Sequence, residues 1–187
     1  FTGGSWAVSP RKINFELVTT NTIKTQIKEL HGVKYKSYYF IDNKFDKNLL
    51  EELNSSNKVL ISIPPKNNID ITLEKFKNSF KKNNFDWVTY LSATSVYGNH
   101  EGQWVDENTN PKPTSKRGIE RVNSENSWLQ FFKDYELPVQ IFRLSGIYSF
   151  ENNIIERFKA GTARIVEKKN NFFSRIHVDD FGEILSL

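Results

Sequence analysis

Short apolar runs alternate with amphipathic segments along the whole chain. Runs rich in β-branched and aromatic residues predict strands over 15–20, 38–41, 59–63, 87–91 and 138–144. Apolar residues three and four apart predict helices over 22–30, 46–53, 73–80, 117–135, 154–160 and 179–187. The longest helix is expected to turn Ile119, Val122, Leu129 and Phe132 inward. Because strands and helices alternate, the pattern predicts an α/β fold: a doubly wound, mostly parallel sheet with helices on both faces.

Polar residues follow several of the predicted strands, where such sheets bind ligands. The positions are Thr19, Thr20 and Asn21 after the first strand, Ser62, Pro64 and Pro65 after the third, Ser92 after the fourth and Ser145 after the fifth. A long polar segment, 94–116, predicts a functional loop. The structural interpretation stays open beside the functional one, since threonine favours strand ends and Pro-Pro ends a strand in any protein.

The composition of the chain limits the kinds of partner, chemistry and location that we expect for it. A chain of 187 residues with 37% hydrophobic residues and no apolar run near the ~20 needed to cross a bilayer predicts one soluble domain. The absence of cysteine excludes disulfides and thiolate chemistry, and without a signal-peptide pattern we expect a cytoplasmic location. The net charge of +4 fits a dinucleotide or a nucleic acid, but no nucleic-acid recognition motif is visible. The acidic pairs 106–107 and 179–180 are too sparse to predict a metal site.

Five segments, taken in order, identify a family. They are S-A-T-S-V-Y-G at 92–98, G-Q-W-V-D-E at 102–107, the helix entry at 113–125, F-R-L-S-G-I-Y at 142–148 and R-I-H-V-D-D at 175–180. Over nearly the whole chain they resemble an atypical branch of the extended short-chain dehydrogenase/reductase family, which includes nucleotide-sugar epimerases and dehydratases. The resemblance implies one Rossmann-like domain over 1–187 that binds NAD or NADP, with the substrate-binding region beginning near residue 145.

The N-terminal segment matches that family only in part. Residues 1–7 look like the tail of the family's glycine-rich turn, which implies that Thr2 and Gly3 bind the cofactor. No strand pattern precedes them, and the chain contains no methionine. We therefore expect a chain truncated at both ends, with the first, central strand of the sheet missing. A non-native N-terminus is the alternative interpretation.

The family's catalytic residues are replaced in this chain. Its acid/base tyrosine aligns with Arg117, its lysine with Arg121 and its hydroxyl residue with Ala93. Arginine, with a pKa above ~12, does not serve as an acid/base. Thr94, Ser95 and Tyr97 are the replacement candidates for catalysis. Tyr97 is also expected to pack in the core, as an aromatic after a strand commonly does.

The resemblance also implies contacts for the two arginines. Arg121 is expected near the cofactor, and Arg117 near the substrate together with Ser145 and His177. Two arginines four apart in a helix lie on one face and suit anion recognition. The alternative is surface pairing with Asp106, Glu120 or Glu125.

The implied function is that of an oxidoreductase or isomerase acting on a small or sugar-nucleotide substrate. A catalytically inert, NAD(P)-sensing regulatory module is the alternative that the replaced residues leave open. The choice of cofactor is open as well, because Asn21 stands where the branch often carries an arginine for a 2′-phosphate.

Overall fold

The computed structural model describes residues 16–30, 32–164, 167, 172 and 174–185. Its strands are β1 Val18–Asn21, β2 Gln26–Leu30, β3 Val33–Ile41, β4 Lys44–Phe45, β5 Lys58–Ile61, β6 Trp87–Ala93, β7 Val139–Leu144, β8 Gly146–Tyr148 and β9 Arg175–His177. Its helices are α1 Asn48–Ser55, α2 Ile71–Lys82, α3 Lys116–Tyr135, α4 Ile154–Lys159 and α5 Val178–Leu185, with a 3-10 turn at Thr94–Val96. No helix in these described ranges is long and apolar enough to cross a membrane.

Parallel pairing dominates the sheets, as the α/β pattern predicts. Strand β6 lies between β5 and β7, parallel to both. Strand β1 pairs in parallel with β3, and β8 pairs in parallel with β9. The two antiparallel additions are β2 and β4, both on β3. The expected α/β class with a mostly parallel sheet is thereby confirmed.

Two strand edges face one groove. The groove has a volume of about 160 Å³ and is lined by residues of β1 and β5, with α1 and α2 contributing Leu49, Leu53 and Phe76. Within the described part of the chain, β1 pairs only with β3 and β5 only with β6. The groove therefore lies between the unpaired edges of β1 and β5 in the described residues.

The core is built from residues of β6, α2 and α3 together with buried residues of β3, α1 and β5. Val88 and Tyr90 of β6 are fully buried, as is Trp128 of α3. Phe80 of α2 meets Trp128 edge-on at 5.0 Å between ring centroids. Aromatic contacts of this kind add to the burial of apolar area, so the chain packs α2 and α3 tightly beside the central strand.

The prediction of a helix over 22–30 is wrong. The segment contains β2, which runs antiparallel to β3. Ile23 and Ile27 are 73% and 72% exposed, so their helical spacing did not mark a buried face. A nine-residue helix without such a face is marginal. Gly32, at a φ of +80°, turns the chain so that β2 satisfies its backbone hydrogen bonds along β3.

The predicted inward face of α3 is also wrong. Ile119, Leu129 and Phe132 are 46%, 42% and 51% exposed, and Val122 is only half-buried. The buried face carries Gly118, Glu120, Ser124, Glu125 and Trp128. Polar residues can occupy this interface because some of them, such as Glu125, form hydrogen bonds there. The spacing of apolar residues alone therefore predicted the wrong face of α3 as the buried one.

Candidate functional site

The predicted polar residues meet at one edge of the parallel sheet. Because β5, β6 and β7 run in the same direction, Ser62, Ser92 and Ser145 lie at neighbouring carboxyl ends. Ser92 is 3% exposed, and its hydroxyl has no hydrogen-bond partner in the described structure. Ser62 is exposed and Ser145 is half-buried. The edge therefore offers one buried and two accessible hydroxyl groups.

Helix α3 begins beside this edge. The Ser115 hydroxyl caps the helix by accepting a hydrogen bond from Gly118 N at 3.1 Å. A Cβ added at Gly118 would lie 2.6 Å from the Ser95 carbonyl oxygen. Only glycine at this position lets the start of α3 approach the end of β6 so closely.

The two arginines of α3 lie on the first two turns. Arg121 Nη1 donates to the Leu91 carbonyl at 2.8 Å, which fixes the side chain to β6. Arg117 is exposed. The alternative, surface pairing with these glutamates, is not formed in the described residues: Glu120 pairs with Lys116 at 3.9 Å and Glu125 with Arg143 at 2.8 Å. Across the described ranges, neither Arg117 nor Arg121 forms an ion pair with a carboxylate.

The catalytic candidates differ in accessibility. Thr94 and Ser95 lie in the 3-10 turn after β6; Thr94 is half-buried and Ser95 exposed. Tyr97 is 7% exposed, and its hydroxyl donates to the Asp106 carbonyl at 2.7 Å. The Tyr97 hydroxyl is thus already engaged by the protein, whereas the hydroxyls of Thr94 and Ser95 are nearer to solvent.

The residues predicted to follow the first and third strands divide between structural and accessible positions. Thr19, Thr20 and Asn21 lie within β1 itself, so the strand extends past its predicted end. Asn21 uses its amide group locally: Nδ2 donates to Ser37 Oγ at 2.8 Å, and Oδ1 accepts from Ile23 N and Lys24 N. Thr19 and Thr20 line the groove between β1 and β5. Pro64 is exposed and Pro65 is buried. Thr2 and Gly3 lie outside the described residues.

His177 joins β9 to α5. Its Nδ1 accepts a hydrogen bond from Asp179 N at 3.3 Å, and its ring meets Tyr148 edge-on at 5.0 Å between centroids. Tyr148 is the last residue of β8, which begins directly after Ser145, and β9 with His177 pairs with β8. No three histidine, aspartate or glutamate side chains among the described residues are grouped to hold a metal ion.

Of the known proteins compared with this chain, only solved structures match it. No family model matches the chain. No curated protein matches it either. A functionally unknown conserved protein from Silicibacter pomeroyi DSS is 33% identical, with a TM-score of 0.68, over 81% of this chain and 51% of that one. The chain spans about half the length of that structure.

Two enzymes of known activity share the fold. UDP-glucuronic acid 4-epimerase from Bacillus cereus, in complex with UDP-glucuronic acid and NAD, matches 75% of this chain and 52% of its own at 18% identity and a TM-score of 0.63. dTDP-glucose 4,6-dehydratase from Bacillus anthracis, in complex with NAD, matches 92% of this chain and 62% of its own at 17% identity and a TM-score of 0.67. The chain has the fold of the extended short-chain dehydrogenase/reductases. This confirms the resemblance drawn from the five sequence segments.

In this extended dehydrogenase/reductase fold, the sequence reasoning missed one pair of residues. Arg143 of β7 donates from Nε and Nη2 to both carboxylate oxygens of Glu125 on α3, at 2.8–3.2 Å. The Glu125 side chain is 3% exposed and that of Arg143 20%. The hydrogen bonds with Glu125 raise the pKa of Arg143 above its ordinary value. In the sequence, the pair is visible only as a glutamate within the predicted helix over 117–135 and an arginine near the end of the predicted strand over 138–144.

Proposed function

We propose that the chain is part of an NAD(P)-binding protein of the epimerase/dehydratase kind, acting on a small or sugar-nucleotide substrate. The observation that carries the proposal is the pair Arg117 and Arg121, one helical turn apart beside the carboxyl end of β6 and without carboxylate partners in the described ranges. Guanidinium groups bind phosphate and carboxylate through paired hydrogen bonds. The expected ligand is therefore an anion such as a dinucleotide or a sugar nucleotide.

The residues at the strand ends fit a dinucleotide. Ser92 offers a buried hydroxyl without a partner in the described structure, directly after the Leu91 carbonyl that anchors Arg121. Ser62, Thr19 and Thr20 line the neighbouring groove, and Pro64 is exposed just after the groove-lining Ile63. The epimerase and dehydratase with this fold are complexed with NAD. NAD and NADP remain equal candidates, since Asn21 carries no charge and uses its amide in a local turn.

The chemistry of the site differs from that of the family it resembles. When bound, a nicotinamide supplies hydride transfer, but the usual tyrosine and lysine positions hold Arg117 and Arg121. We propose that these arginines bind and orient anionic groups, with Arg117 and Ser145 on the substrate side together with His177. Thr94 and Ser95 are the hydroxyls proposed to contact the reacting group, because the Tyr97 hydroxyl is held by the Asp106 carbonyl.

The proposed organisation is a single cofactor domain whose C-terminal part, from about residue 145, begins the substrate region. We propose a cytoplasmic location and small-molecule ligands in place of nucleic acid. The inert sensing module is the less favoured alternative, because the two named proteins compared above are an epimerase and a dehydratase.

Equilibrium titration with NAD⁺, NADH, NADP⁺ and NADPH tests the proposal on the longest natural polypeptide that contains this sequence. We expect binding of at least one cofactor, and a loss of about 10- to 100-fold in affinity on Arg121→Ala, the usual effect of removing a hydrogen bond to a charged group. Lys133→Ala, an exposed cation at the far end of the same helix, is the matched control and is expected to change affinity less than about twofold. Absence of binding for all four cofactors at millimolar concentration would refute the proposal.

A further inference from the structure

Arg143 connects a helix to an aromatic ring. Glu125 fixes its guanidinium from the α3 side with three hydrogen bonds. On the other side, the guanidinium carbon lies 4.9 Å from the centroid of the Tyr97 ring. A cation held over an aromatic face is attracted by the ring's quadrupole. The pair therefore joins α3 and β7 to the ring of Tyr97.

Tyr97 in turn holds the loop that follows it. Its hydroxyl donates to the Asp106 carbonyl in the middle of the loop. Lys112 N donates to the Val96 carbonyl at 3.1 Å, so the end of the loop returns to the same point. His100 meets the Tyr97 ring edge-on at 6.4 Å between centroids. Residues 98–112 are consequently organised around one buried tyrosine at the carboxyl end of β6.

The cost of the arrangement indicates a role beyond packing. A buried ion pair is rarely more stabilising than apolar residues of the same volume, because both charges lose their hydration. Here the side chains of Glu125 and Arg143 are 3% and 20% exposed, so the carboxylate loses nearly all of its hydration. The planar guanidinium of Arg143 packs against the Tyr97 ring and so restricts the orientation of the ring.

We propose that Glu125 and Arg143 are positioning residues for the loop 98–112. Glu125 holds Arg143, Arg143 holds the Tyr97 ring, and the Tyr97 hydroxyl holds Asp106. The loop borders the site at the end of β6, so the pair on α3 and β7 determines how that border is ordered. This role concerns the loop itself and does not depend on which ligand the site binds.

The test compares two buried glutamates of one helix. Glu125→Gln keeps the size of the side chain but removes the charge that holds Arg143. Glu120→Gln is the matched control, because Glu120 is 5% exposed on the same helix and pairs with Lys116 instead. Amide hydrogen exchange is measured for Gln103, Thr109 and Lys112, whose N–H groups donate to the carbonyls of His100, Asp106 and Val96. We expect Glu125→Gln to speed their exchange about five- to tenfold, the effect of losing about one hydrogen bond, and Glu120→Gln to leave them unchanged.

A second variant and a spectroscopic readout separate positioning from general stability. Tyr97→Phe keeps the ring under Arg143 but loses the hydroxyl, and it is expected to speed loop exchange to a similar degree while the exchange of α3 stays constant. The His100 ring-proton resonance is expected to move in Glu125→Gln, since Tyr97 no longer holds its angle, while His177, which contacts Tyr148, serves as the reference in the same spectrum. Equal loop exchange in the two glutamine variants, or an unchanged loop in Tyr97→Phe, would overturn the proposal.

Discussion

At the scale of single residues, backbone geometry shapes the loop beside the site. Gly98 has a φ of +72°, and a Cβ added there would overlap the carbonyl oxygen of Lys112. Two requirements thus coincide at one glycine: a left-handed backbone and close approach of the returning chain. The V-Y-G sequence marks this turn, but the contact with Lys112 depends on how the loop closes.

Gly98→Ala is therefore expected to cost more than about 3 kcal/mol, combining the left-handed penalty with overpacking against backbone. Gly161→Ala is the matched control, because Gly161 has a φ of +65° with no atom near its added Cβ. That variant is expected to lose about 1–2 kcal/mol. Urea unfolding measures both. A similar loss of stability in the two variants would show that the Lys112 carbonyl moves away from the added methyl group at little energetic cost.

At the scale of elements, one carboxylate joins two helices. Asp70 caps α2 by accepting from Leu73 N at 3.1 Å, and its other oxygen accepts from Trp128 Nε1 of α3 at 2.9 Å. Burial raises the pKa of Asp70 above its ordinary value, although both hydrogen bonds act in the opposite direction. The contact orders α2 against α3 and contributes to the polar face that α3 turns inward.

Asp70→Ala removes the cap, worth about 0.5–2 kcal/mol, and leaves a buried indole N–H unpaired, at about 1–3 kcal/mol. We expect a total loss of about 2–4 kcal/mol in the free energy of unfolding. Asp134→Ala, an exposed aspartate of α3 bonded to Gln130, is expected to stay within about 0.5 kcal/mol of wild type. A loss of that small size in Asp70→Ala would contradict the bridging role.

The same variant has a pH signature. Because the folded pKa of Asp70 is raised, the folded state binds the proton more tightly than the unfolded state. The stabilisation linked to this proton is full below the unfolded value of about 3.9 and is lost as the pH rises through the folded pKa. The difference in free energy of unfolding between wild type and Asp70→Ala should therefore be smaller at pH 8 than at pH 4. Urea unfolding at both pH values measures this difference. A gap that widens with pH would contradict this assignment.

At the scale of the whole molecule, the sheet is strongest on one side of the groove. Strand β6 is paired on both sides, whereas β1 and β5 each leave one edge open in the described part of the chain. Val88 and Tyr90 of β6 are completely buried. Opening of the sheet should therefore begin at the groove and reach β6 last.

Hydrogen exchange measures this order. Amides of β6 are expected to exchange on the order of a hundredfold more slowly than those of β1 and β5, because they open only with the global unfolding of the core. The amides of α3 near Trp128 provide a reference inside the same core. Equal protection of β1, β5 and β6 would mean that both open edges are covered in solution.

The sequence predicted a large part of the fold because its strands are short, apolar and followed by turn residues. The strands that became β5, β6 and β7 and helices α1, α2 and α4 lie close to their predicted ranges. The prediction of a helix over 22–30 is wrong because Ile23, Ile27 and Leu30 have helical spacing, although Ile23 and Ile27 are exposed in the structure. The inward face of α3 failed because Glu125 is stabilised by Arg143, a partner 18 residues away.

By itself, the sequence determined the alternating α/β order and the family resemblance, which implies that Ala93, Arg117 and Arg121 stand at the usual shuttle positions. These follow from local spacing and residue identity, which the chain carries wherever it folds. Only the tertiary structure decided that both arginines lack carboxylate partners among the described residues, that the Tyr97 hydroxyl is engaged and that Glu125 holds Arg143. Each of these depends on groups far apart in sequence, whose approach is set by packing of α3 against β6 and β7.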